Sequence, residues 1–435
     1  MTDVAGASPG QAVRRNRSSI ADLIRSTEVD LRQFGMVIAL VLIWVALGLA
    51  NSQILQPVNF LTFSVQAAGT AILATGMVLV IVSRNIDLSV GAVVGFIGMF
   101  YAVLMANVFP ATIGVNHPLA WVIALALGVV LGIVIGGLQG FLIAYLEIPS
   151  FVVTLGGLFL FRGLIWQLSG GTTVAPDDPT FVLIGGGPEG SLGGGLSWLF
   201  GIIICVAAVY LLVSARRQRR KFGFPVRPLW AEIAIGVVAV VVVLGSVLVA
   251  NSYHWPSGLA TQYAVKHGIT EPAGGLQIEA GIPFPLVILI VVTIVMTFLS
   301  TRRRFGRDVF AYGGNPQAAD LAGINTRWTI MKIFILMGIL CAISGAVASA
   351  RLNGGTLDLG TGYELYVIAA AVIGGTLFAG GVGSIPGAIL GALVMQSIQY
   401  GLGFLGFNSP QVNMVLAIVL VAVVGIDQWV RRRAR

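Results

Sequence analysis

Apolar runs about as long as a membrane is thick recur along this chain from Met36 almost to its end, and they decide what it can fold into. A helix needs roughly 20 apolar residues to cross the hydrocarbon layer, and a soluble core has no room for such runs many times over. In lipid every backbone N–H and C=O must be satisfied within the protein, so these runs must be helices. Only 10% of the residues are charged, too few to cover a water-facing surface. The sequence therefore predicts an all-α, polytopic transmembrane helical bundle of about 12 spans, some broken or re-entrant. The spans are expected near 36–55, 62–82, 88–109, 119–145, 150–168, 197–214, 229–250, 284–300, 329–350, 364–379, 384–406 and 410–426, with 150–168 and 364–379 as the candidates for re-entry or tilt.

The net charge of +8 suggests a nucleic-acid partner until its distribution is considered. The basic residues sit in short clusters between apolar runs: Arg14, Arg15, Arg17, Arg25 and Arg32; Arg216, Arg217, Arg219, Arg220 and Lys221; Arg302, Arg303, Arg304 and Arg307; Arg431, Arg432, Arg433 and Arg435. An even number of spans starting from the inside puts all four clusters on one side, as the excess of Lys and Arg in cytoplasmic loops requires. The opposite loops are poor in basic residues: 169–196 carries Asp177, Asp178 and Glu189 without Lys or Arg, and 251–283 has only Lys266. This arrangement speaks for a plasma-membrane protein with both termini in the cytoplasm, and against nucleic acid. The domains expected are a cytoplasmic tail over 1–35, with a surface helix over 18–32, a transmembrane domain over 36–427 and a basic cytoplasmic tail over 428–435. Within the membrane domain, 197–250 reads as a basic-linked hairpin and 301–328 as a cytoplasmic loop.

Four stretches break the apolar pattern with chemistry. In Asn85-Ile86-Asp87-Leu88-Ser89-Val90-Gly91, Asp87 is placed either to cap the next helix or, with Ser89, to meet a solute. In Pro149-Ser150-Phe151-Val152-Val153-Thr154-Leu155-Gly156, Pro149 and Ser150 mark a sharp helix start. Phe151 and Thr154 are candidates for the pathway, although Thr154 can also bond its own helix backbone. In Gly313-Gly314-Asn315-Pro316-Gln317-Ala318-Ala319-Asp320-Leu321-Ala322-Gly323-Ile324, Asn315 is an N-cap with proline at the first helical position, and Gly323-Ile324 fits a left-handed stop. A helix under two turns is marginal alone in water, so this one is either a docking element or a loop folded back on its own domain. In Gly362-Tyr363-Glu364-Leu365, Glu364 stands at the mouth of an apolar run, placed to bond a solute, cap the helix or pair with Arg351. The polar, Gly-rich breaks before Val90 and before Pro386 also hint at an internal repeat, the pattern that points to a transport pathway.

Taken together and in this order, the stretches at 86–91, 149–156, 313–324 and 363–375 resemble the permeases of sugar-importing ATP-binding-cassette systems, the ribose, galactose and xylose group. The resemblance covers roughly 60–427. It implies a homodimeric permease for a monosaccharide, with two ATPase subunits on the cytoplasmic side and an external sugar-binding protein as partners. It further implies that the 313–324 loop, through Gly313, Gly314, Asn315, Pro316, Ala318, Ala319, Gly323 and Ile324, couples to the ATPase. Ser83-Arg84-Asn85 departs from the Gly-Gly that many members have before Ile86. The inserted hairpin over 197–250 looks like the xylose type, which makes a pentose such as xylose the expected cargo.

No phosphate-binding Gly-x-x-x-x-Gly-Lys-Ser/Thr loop occurs, so ATP hydrolysis is expected on a separate chain and no enzymatic activity on this one. No cofactor or metal is expected, since Cys205 and Cys341 lie in apolar runs and His117, His254 and His267 are scattered. The rival reading, an ion-coupled secondary sugar transporter, calls for paired acidic groups at mid-span. Asp87, Glu147, Glu364 and Asp427 all fall near span ends.

Overall fold

The computed structural model describes residues 31–175, 178–269 and 275–434. The expected N-terminal tail with most of its 18–32 helix, Asp177 and Arg435 lie outside the described residues. No strand occurs among the described residues, only isolated antiparallel bridges. Residues 31–202 and 244–435 form one compact unit, and residues 203–243 belong to another.

In the larger unit the chain runs through α1 (Leu31–Ala50), α2 (Pro57–Val82), α3 (Val90–Val103), α4 (Ala120–Ala144) and α5 (Ser150–Ser169). It enters α6 (Gly194–Lys221) and returns along α7 (Leu229–Asn251) to α8 (Ser257–His267), α9 (Phe284–Thr301), α10 (Arg304–Gly314) and α11 (Pro316–Leu321). It closes with α12 (Thr326–Leu352), α13 (Tyr363–Ile373), α14 (Ile385–Phe404) and α15 (Ser409–Ala434). Among the described residues, ten helices are long and apolar enough to cross a membrane, and Tyr363–Ile373 is shorter. The expected 410–426 span lies within the 26-residue α15. The expected 364–379 span stops at Ile373 because Gly374 and Gly375 follow, the latter with φ +93°. The 150–168 run, a candidate for re-entry, is one unbroken helix that ends on left-handed Gly170.

Helix starts follow local chemistry. Pro57 opens α2 and Pro386 sits in the first turn of α14, where a missing N–H costs nothing. Asn325 accepts from Trp328 N to cap α12, at 2.9 Å. Past α3 the helix continues through a π-turn over Leu104–Val108 into the single turn Phe109–Thr112, where Pro110 cannot continue the regular bonding.

Helices α2 and α12 form the interior. From Ala67 to Val82 every α2 residue is buried, and α12 is buried along most of its length. The α4 face that meets α12 is a row of glycines: methyl groups at Gly132, Gly136 and Gly140 would run into the backbone of Gly338, Phe334 and Met331. Tyr101 of α3 fills the space beside Gly128 and donates to the Ala342 carbonyl at 3.2 Å. Small residues let helix backbones approach where lipid provides no hydrophobic drive for helices to associate. Helix α1 lies against α14, with Trp44 donating to Ser397 Oγ at 3.0 Å and stacking on Phe60 at 4.5 Å.

In the smaller unit, residues 203–221 of α6 and 229–243 of α7 are joined by the basic turn. There Arg216 forms a 2.6 Å ion pair with Glu232 and donates to the Arg227 carbonyl at 3.1 Å.

Candidate functional site

Two of the segments that leave the helical pattern inside the larger unit frame α3: the first leads into it and the second packs along it. Residues 83–89 follow the long buried α2 and deliver the chain to the start of α3. Residues 353–362 follow the long buried α12 and deliver it to the start of α13. The second segment runs back along α3: Gly355 lies against Met99 and Ala102, Leu359 against Gly95 and Gly98, and Gly360 and Glu364 against Gly91. The N-termini of α3 and α13 therefore come together. The break before α3 is the 83–89 segment. The 380–384 break paired with it from sequence precedes α14, a full-length helix.

Hydrogen bonds stitch both segments in place. Asp87 Oδ1 accepts from the Ser89 amide at 2.9 Å and from the Ser89 hydroxyl at 2.7 Å, so its carboxylate closes its own turn and does not cap α3. Gln139 of α4 donates to Ser89 Oγ at 2.9 Å. The Thr154 hydroxyl donates to the Ser150 carbonyl at 2.8 Å, with the Ile86 carbonyl at 3.3 Å, and Ile86 N donates to Ser150 Oγ at 3.2 Å. Phe151, expected with Thr154, is half exposed. Arg162 of α5 donates to the carbonyls of Leu359, at 3.1 Å, and Leu357, at 3.4 Å, and so pins the second segment. Gly355 and Val174 exchange backbone bonds at 2.7 and 3.0 Å. Glu364 stands in the first turn of α13 with Oε2 buried and without a hydrogen-bond partner. Its charged neighbours are Arg162 and Asp87, where Arg351 was a candidate from sequence.

The second element of the site is the loop from Arg302 to Asn325. The α11 helix has both ends closed as read from the sequence. Asn315 Oδ1 accepts from Ala318 N at 3.0 Å, Pro316 opens the helix, Gly323 takes φ +78° and Ile324 N donates to the Ala319 carbonyl at 3.1 Å. Ala319 is buried and ties the turn down, while Gln317, Ala318, Asp320 and Ala322 are exposed or partly so. Leu321 is 90% exposed, which leaves a large apolar side chain at the tip with no cover from its own chain. Beside it a polar groove of about 870 Å³ runs between Glu147, Tyr312, Asp320, Asn325 and Arg327, with Glu147 and Arg327 paired at 3.1 Å. Burial pushes the Tyr312 hydroxyl up from its ordinary pKa, and Arg84 pulls it partly back.

Arg84 joins the two elements. Its backbone is left-handed, at φ +62°, and its guanidinium donates to the carbonyls of Gly313 and Gly314, each at 2.8 Å. Gly313 is packed against the Val82 carbonyl and Gly381, and the Gly381 amide donates to that same carbonyl at 2.9 Å. The base of the exposed helix thus rests on the turn that leads into α3 and on the turn that follows α13. Sequence reasoning picked out Asp87, Ser89, Thr154 and Glu364 but assigned no part to Arg84, Gln139 or Arg162. The signal available was a lone polar residue inside or beside an apolar run.

Residues 59–424 match the family described as branched-chain amino acid transport system / permease component. A xylose transport system permease protein of Haemophilus influenzae is 35% identical over 406 residues, which cover 93% of this chain and 98% of that protein. The xylose transport system permease protein of Escherichia coli K12 is 32% identical over 85% of this chain and 84% of its own length. A ribose import permease protein of Bacillus subtilis is 27% identical over 92% and 93%. No solved structure matches this one. With the family match running from α2 into α15, the chain belongs to the branched-chain amino acid transport system / permease component family, as a multi-pass membrane protein.

Proposed function

We propose that this chain is the membrane permease of an ATP-driven importer and forms the pathway for a monosaccharide, a pentose such as xylose. The observation that carries the reading is α11: a short helix closed at both ends, tipped by an exposed leucine and seated on the turn that leads into α3 and the turn that follows α13. A separate ATPase subunit docks there, and closure of the ATPase on its nucleotide moves α10 and α11. Through Arg84 and Gly381 that movement reaches the start of α3 and the end of α13, and the packed helices switch between two arrangements. Asp87, Ser89, Thr154 and Glu364 lie along the pathway. Phe151, a further pathway candidate on the same helix as Thr154, is half exposed. The relatives' names support a sugar cargo, and family membership does not support the ion-coupled alternative. The chain works as a homodimer in the plasma membrane, with both termini and the 301–328 loop in the cytoplasm and a sugar-binding protein outside. ATP is hydrolysed on the partner subunits and no cofactor is needed here.

The test is reconstitution in liposomes with the ATPase and binding protein encoded alongside. ATP-dependent uptake of radiolabelled D-xylose that survives an uncoupler is expected. Ala318→Arg puts a long charged side chain on the exposed face of α11, and it should abolish both co-purification with the ATPase and sugar-stimulated ATP turnover. Unchanged turnover in this variant rules out α11 as the docking element, and uptake that collapses with the uncoupler overturns ATP coupling.

A further inference from the structure

A second polar site lies in the larger unit, away from the coupling loop, and none of its residues has been used so far. A cavity of about 660 Å³ opens between α2, the 353–362 segment, α13, α14 and the start of α15. That is within the range of roughly 300–1,000 Å³ typical of small-molecule sites. Gln66, Asp358, Tyr366, Gln399, Tyr400 and Asn413 line it.

Polar groups inside membrane spans are costly and mark substrate paths by default. Helix α14 has the lowest mean hydropathy of the ten candidate spans, 1.3, and Gln396, Ser397, Gln399 and Tyr400 fall close together in its second half. A purely structural wall would not need them all. Some of this polarity orients the rest. Thr70 donates to Gln396 Oε1 at 3.3 Å, Gln396 Nε2 reaches Gln66 Oε1 at 3.5 Å, Tyr366 O–H donates to Asn413 at 2.8 Å and Tyr400 O–H donates to Asn59 at 3.0 Å. The result is three amides, one carboxylate and two phenol rings held around one volume.

We infer that this cavity is the place where the permease itself holds a neutral monosaccharide. The inference rests on the reading of the chain as a sugar permease and names the site within it. Each sugar hydroxyl both donates and accepts, which amides match with their N–H₂ and C=O and a carboxylate matches by accepting twice. The C–H face of the ring is apolar and packs on an aromatic ring such as Tyr400. A single carboxylate among amides suits an uncharged ligand.

The position in the fold agrees. Helix α14 starts at the 380–384 turn, against Val82 and Gly314, and its twenty residues carry the chain about 30 Å from there. The cavity is built from the far end of α14, so it opens on the side opposite α11. That is the side on which a binding protein releases its sugar. Asp358 and Thr361 of the cavity belong to the same segment that leads to Glu364 and Gly91, so cargo bound here touches the moving break directly.

The experiment uses the complete importer in liposomes and D-xylose as the probe. Gln399→Ala and Asn413→Ala should each raise the sugar concentration needed for half-maximal uptake by about tenfold, the effect of losing one or two hydrogen bonds to a bound polar ligand, with assembly on the ATPase retained. Tyr400→Phe should keep most uptake and Tyr400→Ala lose it. Independently, Gln399→Cys combined with Cys205→Ser should be blocked by a small thiosulfonate reagent, and millimolar xylose should slow that block severalfold. Alanine variants with wild-type concentration dependence, or a block whose rate ignores xylose, would overturn the site and leave the permease reading standing. A wild-type importer that takes up no monosaccharide with ATP overturns the permease reading, and the sugar site with it.

Discussion

Arg84 links parts of the chain 229 residues apart with two bonds to backbone carbonyls. Each bond has a charged donor, which makes it worth about 1.5–3 kcal/mol. Arg84→Ala removes both and should cut sugar uptake about tenfold or more while the ATPase still co-purifies, because α11 and its cap are untouched. Arg84→Lys, with a point charge where a fork was, should fall between. Uptake per ATP hydrolysed is the measurement, since a loss of folding alone would lower both together. At this scale the sequence was readable where a side chain acts on its own neighbourhood. Asn315 and Gly323 close α11 as their types dictate. It was unreadable where the partner is backbone or distant: the carbonyls that Arg84 and Arg162 hold carry no side-chain signature, and Asp87 was as good a cap as a solute contact until Ser89 was seen to occupy it.

Among the elements, the contact of α4 with α12 is the tightest test of packing. Gly136→Leu drives a side chain into the Phe334 carbonyl, a backbone atom that cannot move aside, and overpacking of this kind costs about 1–3 kcal/mol or more. The variant should melt lower in detergent, or fail to accumulate. Gly156, on α5, has open space beside it, and a methyl group added there meets no atom within 4 Å. Gly156→Ala should therefore be neutral or stabilise by up to about 1 kcal/mol through helix propensity. Thermal unfolding of both, side by side, checks the claim that spacing by four on α4 is an interface. The spacing of Gly128, Gly132, Gly136 and Gly140 was in plain view in the sequence, but it names no partner helix. The end of α13 was half visible: Gly374 and Gly375 announced a break, while the apolar residues after them suggested a longer span.

For the whole molecule, hydropathy carried most of the architecture, because a bilayer leaves a chain few alternatives. What it could not carry was the packing of 353–362 along α3, which depends on a segment returning beside a buried helix. Sidedness gives the prediction at this scale. Glu189→Cys should react with an impermeant maleimide on intact cells, and Gln317→Cys only after permeabilisation; both positions are exposed. The reverse pattern would put α11 out of reach of any cytoplasmic ATPase. One junction described above bears on how such a machine can move. Gly313 is wedged between the approach to one half-helix and the exit from the other. On the proposed mechanism, a stroke at this fulcrum loads the start of α3 and the end of α13 together.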